Sequence, residues 1–187
     1  MTSAIDFLTG LHGRIFGFLE RLGDSWLLGL IARFVFAAVL WGYFFNSAKT
    51  KVGESLLGFF SVSSGAYYQI ALPAVEAAGG DVDAVSFFPW GLIFMGTYAE
   101  FILPLLIVIG LFSRLAALGM IGFIAVQTFV DITVHQIGAE SIGALFDRFP
   151  DSVIADQRLL WIVPLTVIIL KGPGLLSIDA LLMRSRP

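Results

Sequence analysis

The sequence predicts an all-α integral membrane protein: a four-transmembrane-helix bundle with an N-terminal interfacial amphipathic helix and a partly helical loop between the first two spans. Of the 187 residues, 58% are hydrophobic and 13% are charged, against about 45–50% apolar and about 25% charged in ordinary soluble domains. The mean hydropathy is +0.91. Because a soluble domain with this composition would lack the polar residues to cover its surface, residues 1–187 are expected to form a single membrane domain.

Composition also excludes several classes of function. The chain has 11 basic and 14 acidic residues, so it offers no basic surface for nucleic acid. It contains no cysteine, which excludes disulfides, thiol redox chemistry and thiolate metal sites. His12 and His135 are far apart and do not have metal-ligand spacing, so no metal site is expected. No motif names a chemistry, and the sequence leaves open whether the protein is an enzyme.

Residues 4–22 are predicted to form a helix that lies on the membrane. Ser3 and Asp6 have the spacing of a capping box. Apolar residues then recur in steps of three and four along one face: Ile5, Leu8, Leu11, Ile15, Leu19 and Leu22. Charged residues interrupt the segment too often for a span, which favours an interfacial helix.

Four spans are predicted at about 26–45, 90–112, 115–134 and 157–171. Pro89 is expected in the first turn of the second span, and Ser113 and Arg114 form the short loop to the third. The fourth has only 12 uninterrupted apolar residues, Leu159–Leu170, about 18 Å of helix. It must therefore be extended by Arg158 and Lys171, whose long side chains can reach the headgroups.

The segment 47–88 leaves two alternatives open. Leu56–Leu72 is rich in apolar residues but contains several serines, two glycines and Gln69. We expect amphipathic or re-entrant helical structure that covers one mouth of the bundle and ends near Pro73 and Gly79-Gly80. A fifth span is the alternative.

The distribution of Lys and Arg predicts the orientation. With four spans, one side carries six basic residues: Arg14, Arg21, Arg114, Lys171, Arg184 and Arg186. The other side carries four: Lys49, Lys51, Arg148 and Arg158. The positive-inside rule then places both termini in the cytoplasm, and a bacterial cytoplasmic (inner) membrane is the expected location.

Polar residues inside apolar runs are the candidate ligand-binding residues, since a charge in hydrocarbon must be paired. From the cytoplasmic edge, Arg33 lies about 10 Å deep, Glu100 about 17 Å and Gln127 about 18 Å. Arg33 is therefore expected to pair directly with Glu100, beside Gln127. This group is either a site for a substrate headgroup or proton, or an ion pair that only fixes helix register.

A second group follows one face of the third span. Gln127, Asp131 and His135 are spaced by four residues, so they share a face that climbs from the membrane centre to its outer edge. Lys49, Lys51 or Arg158 could pair with Asp131. The ladder fits a proton path, and an ordinary hydrated helix end is the alternative.

Three groups of residues resemble the DoxX family of small four-span bacterial membrane proteins, over most of residues 33–182. The first is Arg33, with Lys49 just after its span. The second is the stretch A-E-F-I-L-P-L-L-I-V-I-G-L-F-S-R-L-A-A, which holds Glu100, Gly110 and Arg114. The third is G-P-G-L-L-S-I-D-A-L-L, with Gly172, Pro173, Gly174, Ser177 and Asp179. The sequence departs from the family at Asn46, where glycine is usual, and in its long 47–88 insert.

The resemblance implies a four-helix membrane bundle and a role in membrane redox chemistry, because one relative is a subunit of thiosulfate:quinone oxidoreductase and another serves methylamine dehydrogenase maturation. The leading hypothesis is a small subunit of a redox system that binds a quinone-like or other lipophilic ligand. A non-catalytic structural or assembly protein and a carrier for a small lipophilic solute are the alternatives. The expected partners are the lipid bilayer and a redox subunit or a second copy of the chain; the cofactor is unknown, with a quinone the candidate.

Overall fold

The computed structural model describes residues 2–53 and 58–184. Within these ranges the fold is all-helical, with 78% helix and no strand. The α-helices are α1 Thr2–Leu22, α2 Leu28–Phe36, α3 Gly42–Lys49, α4 Ser64–Ala77, α5 Phe87–Ile109, α6 Ser113–Thr133, α7 Ala139–Ile142, α8 Ala155–Lys171 and α9 Ile178–Arg184. Two π-helical turns, Gly23–Leu27 and Ala37–Trp41, join α1, α2 and α3 into one continuous helical segment.

Three helices are long and apolar enough to cross a membrane: Leu28–Lys49, Phe87–Ile109 and Ser113–Thr133. They correspond to the first three predicted spans, with ends that differ by a few residues. The prediction of a membrane protein is thus confirmed. Helix α8, at the predicted fourth span, has 17 residues, or about 25 Å of helix, and packs against α2 and α6.

The core lies where α2, α3, α5, α6 and α8 meet. Phe36, Phe44 and Ile107 are fully buried there, together with Met120 and Leu165. Large apolar residues on the opposite faces of these helices remain exposed. This pattern, a packed interior with an apolar exterior, is what a bundle surrounded by lipid requires, because the bilayer is as apolar as the core.

Helix α1 covers the predicted N-terminal helix. Its described side chains are almost all exposed, including Phe7, Leu8 and Phe18. The predicted capping contact involves Ser3, whose side chain lies outside the described residues. The structure therefore confirms a helix at residues 4–22 and leaves its position relative to the membrane as a prediction.

The turn between α5 and α6 differs from the prediction. Ser113 and Arg114 begin α6, and the connection is Gly110–Phe112 instead. Gly110 adopts a left-handed conformation with φ of 73° and ends α5, since its N–H and that of Leu111 both donate to the carbonyl of Leu106. The predicted loop was wrong because a capping group from a distant part of the chain, described below, starts α6 earlier.

The 47–88 segment forms a 14-residue helix, α4, that packs against α5. The helix is kinked at Ala71, two residues before Pro73, and ends at Ala77, ahead of Gly79 and Gly80 with positive φ. These positions agree with the predicted end of the helical structure. A helix of this length spans only about 21 Å, too short for the alternative fifth span; Leu56 and Leu57 lie outside the described residues.

Candidate functional site

A cavity of about 580 Å³ lies between α5, α6 and α4. Its walls are mostly apolar and come from α5 and α6, where Met95, Val126 and Phe129 are also largely exposed on the outer surface. The glycines Gly96, Gly119 and Gly122 make room between the two helices. We call this cavity the α5/α6 groove. Because exposed apolar residues form its walls, the groove opens sideways onto the apolar outer surface of these helices.

The polar end of the groove is built on a buried ion pair. The Nζ of Lys51 lies 2.6 Å from Oε2 of Glu100, and the two side chains are only 9% and 3% exposed. The same ammonium donates to Oγ of Ser47 at 2.8 Å and to the Ser47 carbonyl at 3.3 Å. The Ser47 hydroxyl in turn donates to Oε1 of Glu100 at 3.1 Å. The carboxylate is thus held from both sides by groups at the end of the first span.

The predicted ladder on α6 faces the same groove. Gln127, Asp131 and His135 all line it, as the spacing of four residues predicts. The Nε2 of Gln127 donates to the Tyr43 hydroxyl at 2.8 Å, whereas its buried Oε1 has no partner in the described structure. Asp131 pairs with the buried Arg158, one of the three partners proposed for it. Of the described residues, no group of three His, Asp or Glu could hold a metal ion.

The predicted pair between Arg33 and Glu100 is wrong. Glu100 pairs with Lys51, and Arg33 does not line the groove. The Arg33 guanidinium donates instead to four backbone carbonyls, those of Ile107, Val108, Pro173 and Leu176. Two of these belong to the last turn of α5, where helix carbonyls carry partial negative charge; that of Ile107 also accepts from the N–H of Gly110. These acceptors attract the arginine to the end of the bundle, away from Glu100.

The residues that carry the DoxX resemblance at the end of the chain form a junction around Arg33. Asp179 accepts hydrogen bonds from the N–H groups of Phe112 and Ser113 and from the Ser113 hydroxyl, at 2.7–2.9 Å, and thereby caps α6. Ser177 caps α9, because its Oγ accepts from the N–H of Ala180. We call the segment Gly172–Asp179 with Arg33 the closing junction.

Glycines allow the closing junction to pack tightly on the first span. A Cβ at Gly29 would lie 2.2 Å from the Gly172 carbonyl oxygen, and one at Gly174 would lie 2.5 Å from that of Trp26. The backbones therefore meet at distances that only glycine permits. Pro173 is buried between them.

The remaining motif residues lie outside the groove. Lys49 is exposed, with its Nζ 5.2 Å from the centre of the Phe45 ring. Arg114 is exposed near Gly172. Neither position indicates a ligand contact; of the charged residues quoted for the DoxX resemblance, Glu100 is the one that lines the groove.

Ser47 is a polar groove residue that the sequence did not single out. It lies four residues before Lys51, the spacing that places two side chains on one helix face. That spacing could have indicated that Ser47 lies beside Lys51, but a serine near the end of a span is common and carries no charge. Lys51 itself was considered only as a partner for Asp131.

Comparison with known proteins gives no match for this chain among family models, curated proteins or solved structures. The DoxX resemblance therefore stays a prediction carried by the residues quoted above.

Proposed function

We propose that this protein binds a quinone-like or other lipophilic ligand in the α5/α6 groove. The groove itself carries the proposal: it has apolar walls, a lateral opening and one polar end formed by Lys51, Glu100 and Gln127. A volume of about 580 Å³ falls within the roughly 300–1,000 Å³ typical of ligand pockets. A ligand with an apolar tail could enter from the bilayer and place its polar group beside the buried pair.

On the resemblance to the DoxX family, we further propose that the ligand serves a membrane redox system in which this chain is a small subunit. The chain holds no cysteine, so any thiol chemistry would belong to a partner subunit. The structural or assembly role is the second candidate. The closing junction supports it, since Arg33 donates to backbone carbonyls of two segments and Asp179 accepts from the backbone N–H groups that begin α6.

Filling the groove should remove the ligand and leave the fold intact. Gly122 lines the groove and a Cβ there would meet nothing within 4 Å, so Gly122→Leu is the variant chosen to fill it. We expect mass spectrometry of protein purified from native membranes to find a lipophilic compound with the unmodified chain and to lose it in this variant.

Gly42→Leu is the matched control. Gly42 is equally unobstructed and exposed, lies in the first span and does not line the groove. The control should retain the compound. If unmodified protein carries no compound beyond bulk phospholipid but copurifies with a partner protein, the assembly role is favoured; uptake of a lipophilic solute into liposomes would favour a carrier.

We also propose that α8 is the fourth span and that α1 lies in the membrane interface. Helix α8 packs against two of the three long apolar helices, and Lys171 at its end has a long, partly exposed side chain that can extend its reach. On α1 the exposed apolar side chains cover about half of the helix circumference, with Arg14 and Arg21 on the other half. A face this wide is typical of interfacial helices, whereas a coiled-coil seam is narrower.

The proposed orientation places both termini in the cytoplasm and residues 47–88 and 136–157 outside. The absence of cysteine permits labelling of single introduced thiols. Arg148→Cys should react with a membrane-impermeant maleimide in intact spheroplasts, and Arg114→Cys only after permeabilisation. Both positions are exposed. The reverse pattern would show that the positive-inside count of six to four assigned the wrong side.

A further inference from the structure

At the polar end of the groove, the hydrogen-bond donors of Lys51 and Ser47 already have acceptors within the protein. An ammonium group has three hydrogens, and Lys51 directs its donors to Glu100, the Ser47 hydroxyl and the Ser47 carbonyl. The Ser47 hydroxyl hydrogen is used on Glu100. One hydrogen of the Gln127 amide is directed to Tyr43. Beside the Lys51–Glu100 pair, the second hydrogen of the Gln127 amide is the donor left over, and the Gln69 amide and His135 also line the groove.

Acceptors, in contrast, remain available at the same end. The buried Oε1 of Gln127 has no partner in the described structure. Each oxygen of Glu100 accepts one hydrogen bond here and has a further lone pair. Leaving a buried acceptor such as Gln127 Oε1 without a donor is unfavourable, so a ligand that brings a donor would remove that cost.

The charges that line the groove also oppose an anionic ligand. Lys51 is the one Lys or Arg side chain among the lining residues described, and Glu100 neutralises it. Asp131 adds a second carboxylate to the lining. Asp131 is paired with Arg158, so a phosphate or carboxylate headgroup would meet no unpaired Lys or Arg side chain among the described lining residues.

We propose that the α5/α6 groove selects a neutral lipophilic compound through a hydroxyl group, so that it binds an alkyl hydroquinone in preference to the corresponding quinone. This inference rests on the proposed ligand-binding function of the groove, and it adds which hydrogen-bonding group the ligand must carry. The hydroxyl of the ligand donates to Gln127 or Glu100, and its tail lies along α5 and α6. A quinone carbonyl offers only acceptors, which cannot satisfy the buried Oε1 of Gln127 or the carboxylate of Glu100.

The test compares four probes that share a decyl tail: the hydroquinone, the quinone, the hydroquinone dimethyl ether and decyl phosphate. Binding to the full-length protein in detergent is measured at equilibrium without oxygen, so that the hydroquinone stays reduced. The hydroquinone should bind about 10-fold more tightly than each of the others. The dimethyl ether is the sharpest comparison, because it keeps the ring and loses only the donors.

Gln127→Met tests the acceptor. It keeps the length of the side chain and removes the oxygen, and should weaken hydroquinone binding about fivefold with little effect on the dimethyl ether. Gln157→Met is the control, since Gln157 is exposed and does not line the groove; its affinities should be unchanged.

The outcomes separate this inference from the proposed function. If the quinone, the ether or the phosphate binds as tightly as the hydroquinone, selection by a hydroxyl is overturned while the groove remains a ligand site. If all four probes bind equally to the unmodified protein and to Gly122→Leu, both proposals are overturned.

Discussion

Replacing Lys51 by methionine is expected to cost about 3–5 kcal/mol of stability, because it leaves the carboxylate of Glu100 buried without its cation. Glu100 is 3% exposed and lies near the middle of α5, so its charge cannot reach the headgroups. Glu100→Gln should cost less, since Lys51 follows the end of α3 and can turn outward. The double variant should be more stable than Lys51→Met alone. Thermal unfolding in detergent measures all three.

Lys49→Met is the matched control for this series. Lys49 is two residues away and exposed, and its described contact is with the Phe45 ring, an interaction worth about 0.5–1 kcal/mol at such sites. Its loss should be small. If the effects of Lys51→Met and Glu100→Gln simply add in the double variant, the two residues are not coupled and the buried pair does not exist in the membrane.

Local periodicity was sufficient to predict most of the helices. The first three spans, the helix at 4–22 and the end of α8 at the Lys171-Gly172 step follow from hydropathy and from glycine and proline signals that act within a few residues. The turn at 110–112 was missed because its cause is not local. Asp179 caps α6 from 66 residues away, and no pattern near Ser113 contains that information.

The polar contacts also divide into those that depend on one helix, which the sequence predicted, and those that depend on two, which it did not. The spacing of Gln127, Asp131 and His135 predicted their shared face, since that depends on one helix. The partner of Glu100 depends on how two helices are offset. Depth estimates placed Arg33 within reach, but they took no account of the carbonyls at the end of α5, which Arg33 satisfies. Because Arg33 binds those carbonyls, Lys51 is the cation that pairs with Glu100.

Arg33→Met is expected to destabilise the protein by about 3 kcal/mol or more. Four carbonyls from the end of α5 and from the closing junction would lose their shared donor. The Ile107 carbonyl would keep the N–H of Gly110, whereas a buried acceptor left unpaired costs about 1–3 kcal/mol. Arg33→Lys should recover little, because an ammonium cannot reproduce the planar fork that reaches both segments. Arg148→Met, at an exposed loop position, is the control and should leave thermal unfolding unchanged.

The same variant distinguishes a structural arginine from a ligand-binding one. Arg33 does not line the α5/α6 groove, so the folded fraction of Arg33→Met should bind the decyl hydroquinone with unchanged affinity, measured below its lowered unfolding temperature. Glu100→Gln, measured under the same conditions, should weaken that binding because it alters an acceptor in the groove. If Arg33→Met instead keeps its stability and loses the ligand, Arg33 belongs to the site and the structural role assigned to it here is wrong.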